Sequence, residues 1–127
     1  MIGDDLQSRV GALGGVAPFD RLEPDELRLI ARHARLRIFA AGHVLIPAGA
    51  VADVLFVRLS GGALTLGAST PAVFDAPGLL FGLAARADHV AGPDGLAALL
   101  IAKPHVFTIA RECPEFVVGL RDQDAAP

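Results

Sequence analysis

The chain contains no tryptophan and no tyrosine, and its one cysteine is Cys113. A lone thiol forms neither an internal disulfide nor a cysteine-based zinc site, which excludes the small folds stapled by either. Phenylalanine is the only one of the three large aromatics present, with seven copies, so few rings are free to stack nucleic-acid bases. Basic residues are also in deficit. Eleven Lys and Arg against fourteen Asp and Glu give a net charge of −3, opposite in sign to the footprint of most nucleic-acid binders. No continuous apolar run of about 18 residues exists to span a bilayer. The opening Met1-Ile2-Gly3-Asp4-Asp5 carries acids where a secretory leader carries bases. The expectation is a cytoplasmic protein with no nucleic-acid partner and no membrane insertion.

Catalytic and metal signatures are missing as well. His33, His43, His89 and His105 show no His-x-His or His-Glu-x-x-His spacing that would fix a metal on one element. Ser8, Ser60 and Ser69 stand in no Gly-x-Ser-x-Gly elbow, and there is no phosphate loop or dinucleotide fingerprint. Cys113 precedes a helix start but has no histidine beside it, and reads as a small packed residue. No enzyme, no metal and no cofactor are expected.

What is present is apolar. Hydrophobic residues make up 53% of 127, and charged residues 20%, enough to bury one core. We expect a single domain over residues 1–127. Leu6, Val10 and Leu13 recur at helical spacing until Gly14-Gly15 breaks the pattern. A second helix is signalled by Pro24, which suits a first helical position, followed by Asp25 and Glu26 at the positive end of the dipole. Leu27, Ile30, Ala31 and Ala34 form its apolar stripe. Arg28, Arg32 and Arg35 form another face, read either as solvated or as a contact for an acidic partner.

From Leu36 the period changes to two. Short apolar runs at Leu36–Phe39, Val44–Ile46, Val54–Leu59 and Ala63–Leu66, then at Ala72–Phe74, Leu79–Phe81, Asp88–Ala91 and Leu96–Ile101, read as strands separated by glycines. Pro104 and Pro114 then open helices over His105–Glu112 and Glu115–Leu120, with Asp122–Pro127 a frayed tail. The expected class is α+β, mainly β: an eight-stranded antiparallel β-roll or jelly roll over about 36–102, flanked by helices over about 4–35 and about 104–121.

Pro18-Phe19, Leu22, Leu27, Ile30, Ala41-Gly42-His43-Val44-Leu45-Ile46, Gly49, Asp53, Leu55-Phe56-Val57 and Leu59-Ser60-Gly61 together resemble the first half of a cyclic-nucleotide-binding domain. Leu99-Leu100-Ile101, Phe107 and Cys113-Pro114-Glu115-Phe116 look like the end of its roll and the helices that follow. The resemblance implies a regulatory, non-catalytic domain whose ligand is a cyclic nucleotide such as cAMP or cGMP. In that family a Phe-Gly-Glu triplet opens a phosphate-binding cassette, a short helix follows, and an Arg-Ala pair some ten residues later grips the phosphate. Phe81-Gly82 matches the opening and Arg86-Ala87 the closing pair, with Leu83 where the ribose-binding glutamate should be. Placed this way, no room remains for the helix. The implied ligand-binding set is therefore Phe81, Gly82, Leu83, Arg86 and Ala87, with Arg86 on the phosphate and Gly82 allowing close backbone approach.

Each of these residues also has a plainer role. Arg86 can pair with Asp88, which is otherwise the nearest substitute carboxylate for a ribose, and Phe81 can be a core aromatic of the roll. A ligand-free roll serving protein contacts or assembly is the competing expectation, and a cupin-like binder a weaker one, since Ala50, Val51 and Ala52 are inert where cupins hold a metal. With Pro127 closing the sequence just after the last helix, output is expected in trans, through a protein partner or self-association.

Overall fold

The structure, a computed structural model, describes residues 5–125, with side chains as far as Leu120. The acidic opening residues Met1 to Asp4 and the end of the expected tail lie outside the described residues. Helix α1 (Leu6–Gly14) starts at Asp5, whose carboxylate accepts the Ser8 N–H at 2.7 Å. After a single 3-10 turn at Phe19–Arg21, α2 (Pro24–His33) opens with Pro24 in its first turn, and the Glu26 carboxylate accepts the Glu23 N–H at 2.9 Å. Ile30 and Ala31 are buried and Arg28 and Arg32 exposed, so the helix presents its stripe as the spacing required. The stripe stops sooner than expected. Ala34 and Arg35 belong to the first strand, β1 (Ala34–Phe39), so the three arginines do not share one helix face.

The sheet has six strands among the described residues, not eight, all paired antiparallel. Besides β1 these are β2 (Val44–Ile46), β3 (Val54–Thr65), β4 (Ala68–Ser69), β5 (Val73–Phe74) and β6 (His89–Ala102). The order is β1-β6-β3-β4, with β2 also on β6 and β5 on β3. Two pairs of expected strands are single long ones, because glycines that read as turns are irregularities within them. The pairing of β3 with β6 shifts register between Arg58 and Ser60 and again between Gly61 and Ala63, yet both strands continue. The expected strand at Leu79–Phe81 is a helix, α3 (Ala76–Phe81).

The central β1-β6-β3 register sets Ala34, Ile101 and Leu55 side by side, all at most 2% exposed. Helices α4 (Lys103–Glu112) and α5 (Pro114–Ala125) complete the core with Val106, Ile109, Phe116 and Leu120. The α5 helix continues to Ala125, past the point where fraying was expected. Phe116 meets Phe19 edge to face at 5.1 Å, which ties the N-terminal turn to the last helix.

Candidate functional site

The region expected to hold the ligand is built from two segments far apart in sequence. Residues 47–51 and 84–88 run side by side: the Gly49 N–H donates to the Ala85 carbonyl and the Ala85 N–H to the Ala50 carbonyl, each at 2.8 Å, and Val51 bridges Ala84. The Asp88 carboxylate accepts the Ala48 N–H at 2.7 Å and closes the clip. Asp88 is thus used on backbone, and the expected Arg86–Asp88 ion pair does not form. Arg86 is exposed and has no hydrogen bond or ion pair among the described residues.

Just upstream, Asp75 takes a left-handed conformation (φ 54°, ψ 31°) and starts α3, with Pro77 in the first turn. The helix ends at Gly82, also left-handed (φ 66°, ψ 36°), and the Leu83 N–H returns to the Gly78 carbonyl at 3.0 Å. Gly82 thus has a backbone reason for being glycine, and a Cβ there would meet no protein atom within 4 Å. Phe81 is not a core aromatic: it is 59% exposed at the last helical position, and Leu83 is 54% exposed. A short helix is present, but it lies ahead of Gly82 and not between Gly82 and Arg86. Phe74 and Asp75 precede it, and Arg86-Ala87 follow.

Behind α3 lies a cavity of about 620 Å³, within the range of small-molecule sites. Of the five residues singled out in the sequence, Leu83, Arg86 and Ala87 line it, while Phe81 and Gly82 do not. Phe74 contributes a ring that stacks on Phe56 at 5.1 Å and on His89 at 5.8 Å, with interplanar angles of 14° and 12°. Thr65, Ser69 and Thr70 add hydroxyls. Two polar atoms in the walls, Asp75 Oδ2 and His89 Nδ1, are buried without a hydrogen-bond partner among the described residues. Such orphans are rare in folded proteins and mark where a ligand or water supplies the missing bond.

Sequence reasoning missed Asp75 and His89. The signal for Asp75 was available: an N-capping residue type, an early Pro77 and Gly82 just past the end are helix boundary marks. The three-residue run Leu79-Leu80-Phe81 concealed it, because so short a run fits strand and helix alike.

Desolvation raises the Asp75 pKa above its ordinary 3.8, opposed by the charge of His89 and the Gly78 N–H. A Cβ on Gly78 would stand 2.6 Å from both carboxylate oxygens, so the carboxylate occupies the space a side chain would fill. With its folded pKa raised, Asp75 makes the folded state bind more protons than the unfolded chain, and stability falls as pH rises through that pKa. Asp75→Asn keeps a residue type that tolerates positive φ and removes the charge. The side chain is only half buried, so solvent screens part of the cost. The expected gain at pH 7 is about 1 kcal/mol, a rise of roughly 3 to 6 °C in Tm, with little change near pH 3. Thermal unfolding of the variant at both pH values checks this; destabilisation at neutral pH would mean that the carboxylate already has a good partner.

No family model and no curated protein matches the sequence. Solved structures do match in shape. The regulatory domain of Toxoplasma gondii PKA, solved with cAMP, superposes with a TM-score of 0.69 at 17% identity, over 82% of this chain and 44% of that one. The regulatory subunit of a cAMP-independent protein kinase A from Trypanosoma cruzi, bound to guanosine, gives 0.72 at 16% identity over 84% and 40%. A cyclic-nucleotide-binding-like protein from Brucella abortus gives 0.61 at 20% identity over 81% of this chain and 97% of that one. The chain thus spans less than half the length of the two kinase subunits. At these identities the likeness is one of architecture, and it agrees with the sequence pattern: this chain has the fold of a cyclic-nucleotide-binding domain.

Proposed function

We propose that the chain is a non-catalytic regulatory domain of the cytoplasm that binds a cyclic nucleotide or a nucleoside in the cavity behind α3 and signals in trans to a protein partner. The observation that carries this is the pairing of an uncommitted Arg86 with the orphaned Asp75 and His89 in one cavity of about 620 Å³. Arg86 offers a fork of donors to a phosphate. Asp75 takes the role for which Leu83 and Asp88 were considered: an acceptor for sugar hydroxyls. The relatives in shape support both ligand classes, since one was solved with cAMP and another with guanosine. Helix α5 lies against α3 and is the element through which occupancy would be passed on.

A thermal-shift panel with cAMP, cGMP, cyclic di-GMP and guanosine tests the reading. A ligand at a hundredfold excess over its Kd adds about 2.7 kcal/mol, a rise of roughly 8 to 15 °C for a domain of this size. No response to any of the four at about 1 mM removes the ligand and leaves a second reading, a ligand-free roll used for protein contacts. That alternative has its own support in the exposed apolar group Phe81, Leu83 and Val51 beside the clip.

A further inference from the structure

A second cleft, of about 330 Å³, shares no lining residue with the first. It lies where the end of the sheet meets α2 and α4, and it gathers Arg32 and His33 from the end of α2, Arg35 and Arg37 from β1, and His105 from α4. Sequence separation hid this gathering, because 72 positions divide the two histidines. Their rings stack at 3.7 Å, within 9° of parallel. None of the three arginines has a hydrogen bond or ion pair among the described residues, and the ion pair found nearby on α2 is Arg28 with Asp25 at 3.7 Å. On a chain of net charge −3, three guanidiniums line this cleft with no carboxylate beside them among the described residues.

Uncompensated like charges repel, and two of these lie two positions apart on one strand, hence on the same face of the sheet. Arg32 alone could be explained as a cation at a helix C-terminus, but Arg35 and Arg37 are on a strand and have no dipole to answer. Apolar Leu100 and Val54 form part of the walls and lower the local polarizability around the cations. Desolvation, and then the charge of His33, hold the His105 pKa below its ordinary 6.5.

We propose that this cleft is a binding site for a small multiply charged phosphate compound, held by Arg32, Arg35 and Arg37 against the His33–His105 stack. The planar guanidinium fork matches phosphate oxygens two at a time, and three forks around a cleft of this size match a ligand with more than one phosphate group. Site and ligand class are independent of the cavity behind α3.

Pyrophosphate and tripolyphosphate are the probes, titrated into the full chain by calorimetry, with the imidazole proton resonances of His33 and His105 followed in parallel. Saturable binding that shifts both resonances and weakens with added salt is expected. Arg35→Ala and Arg37→Ala should each lower affinity by about tenfold or more while leaving Tm unchanged, since both side chains are exposed. Arg86→Ala should leave pyrophosphate affinity unchanged and so separates this site from the other. Absence of saturation to about 10 mM, or affinity indifferent to both β1 arginines, overturns the proposal. So does binding of an oligo-glutamate peptide with the same resonance shifts and no binding of either phosphate, which would make the cleft a contact for an acidic protein segment.

Discussion

Gly61→Ala is expected to destabilise the domain by about 4 kcal/mol or more, and in practice to yield protein that unfolds near ambient temperature. Gly61 has φ +74°, where an alanine is already strained by about 1 to 2 kcal/mol. Most of the penalty is steric. A Cβ there would collide with the carbonyl oxygen of Gly95 on the neighbouring β6 and lie 3.0 Å from its carbonyl carbon. Backbone cannot rotate aside as a side chain can. Nor can Gly95 retreat, since it too has positive φ (+76°), and the space where its own Cβ would be is taken by the Phe39 carbonyl at 2.7 Å on β1. Three strands therefore close on one another through two absent side chains. Gly62→Ala is the control: nothing lies within 4 Å of a Cβ at that position, so a change of only a few tenths of a kcal/mol is expected. Denaturant midpoints of the two variants against the parent measure the difference. Equal midpoints would mean that the β3–β6 crossing is loose.

Arg86→Ala is expected to weaken a cyclic nucleotide by about 2 to 5 kcal/mol, some thirtyfold to several thousandfold in Kd. The phosphate would be left in the cavity mouth without its cation. Guanosine, which has no phosphate, should keep its affinity within a few-fold. Because Arg86 is exposed and has no ion pair among the described residues, folding stability should move by no more than about 0.5 kcal/mol. Arg86→Lys should recover part of the cyclic-nucleotide affinity through charge alone, without the fork. Calorimetric titration of both ligands against the three proteins decides it. If both ligands lose affinity equally, Arg86 shapes the clip and does not hold a phosphate; if neither does, the ligand sits elsewhere.

The nearby Asp75 makes this comparison informative. A carboxylate in the same cavity repels a phosphate and attracts hydroxyl donors, so the balance between Arg86 and Asp75 sets which of the two ligand classes is preferred. Asp75→Asn should therefore shift preference towards the cyclic nucleotide while raising stability at neutral pH.

Periodicity and punctuation along the chain were enough to determine the N-terminal helices, the change to a sheet near residue 36, the strands at Val44–Ile46 and Val54 onward, and the prolines that open α4 and α5. These are local properties: side-chain spacing, ring-fixed φ at Pro24 and Pro114, and acids at a helix start act within a few residues. Tertiary structure decided what depended on distant neighbours. Gly61 and Gly95 look like turns in sequence and are close crossings within long strands, because each fits against a backbone some 34 or more positions away. The Ala76–Phe81 segment became a helix because Ala76 and Leu79 are buried in the common core, which a three-residue apolar run cannot announce. Asp88 was drawn from Arg86 to the Ala48 N–H, and His33 was brought onto His105, by the same cause. A short sequence pattern fixes which face of an element is apolar, but only the packed chain fixes which polar groups are left facing a cavity without a partner.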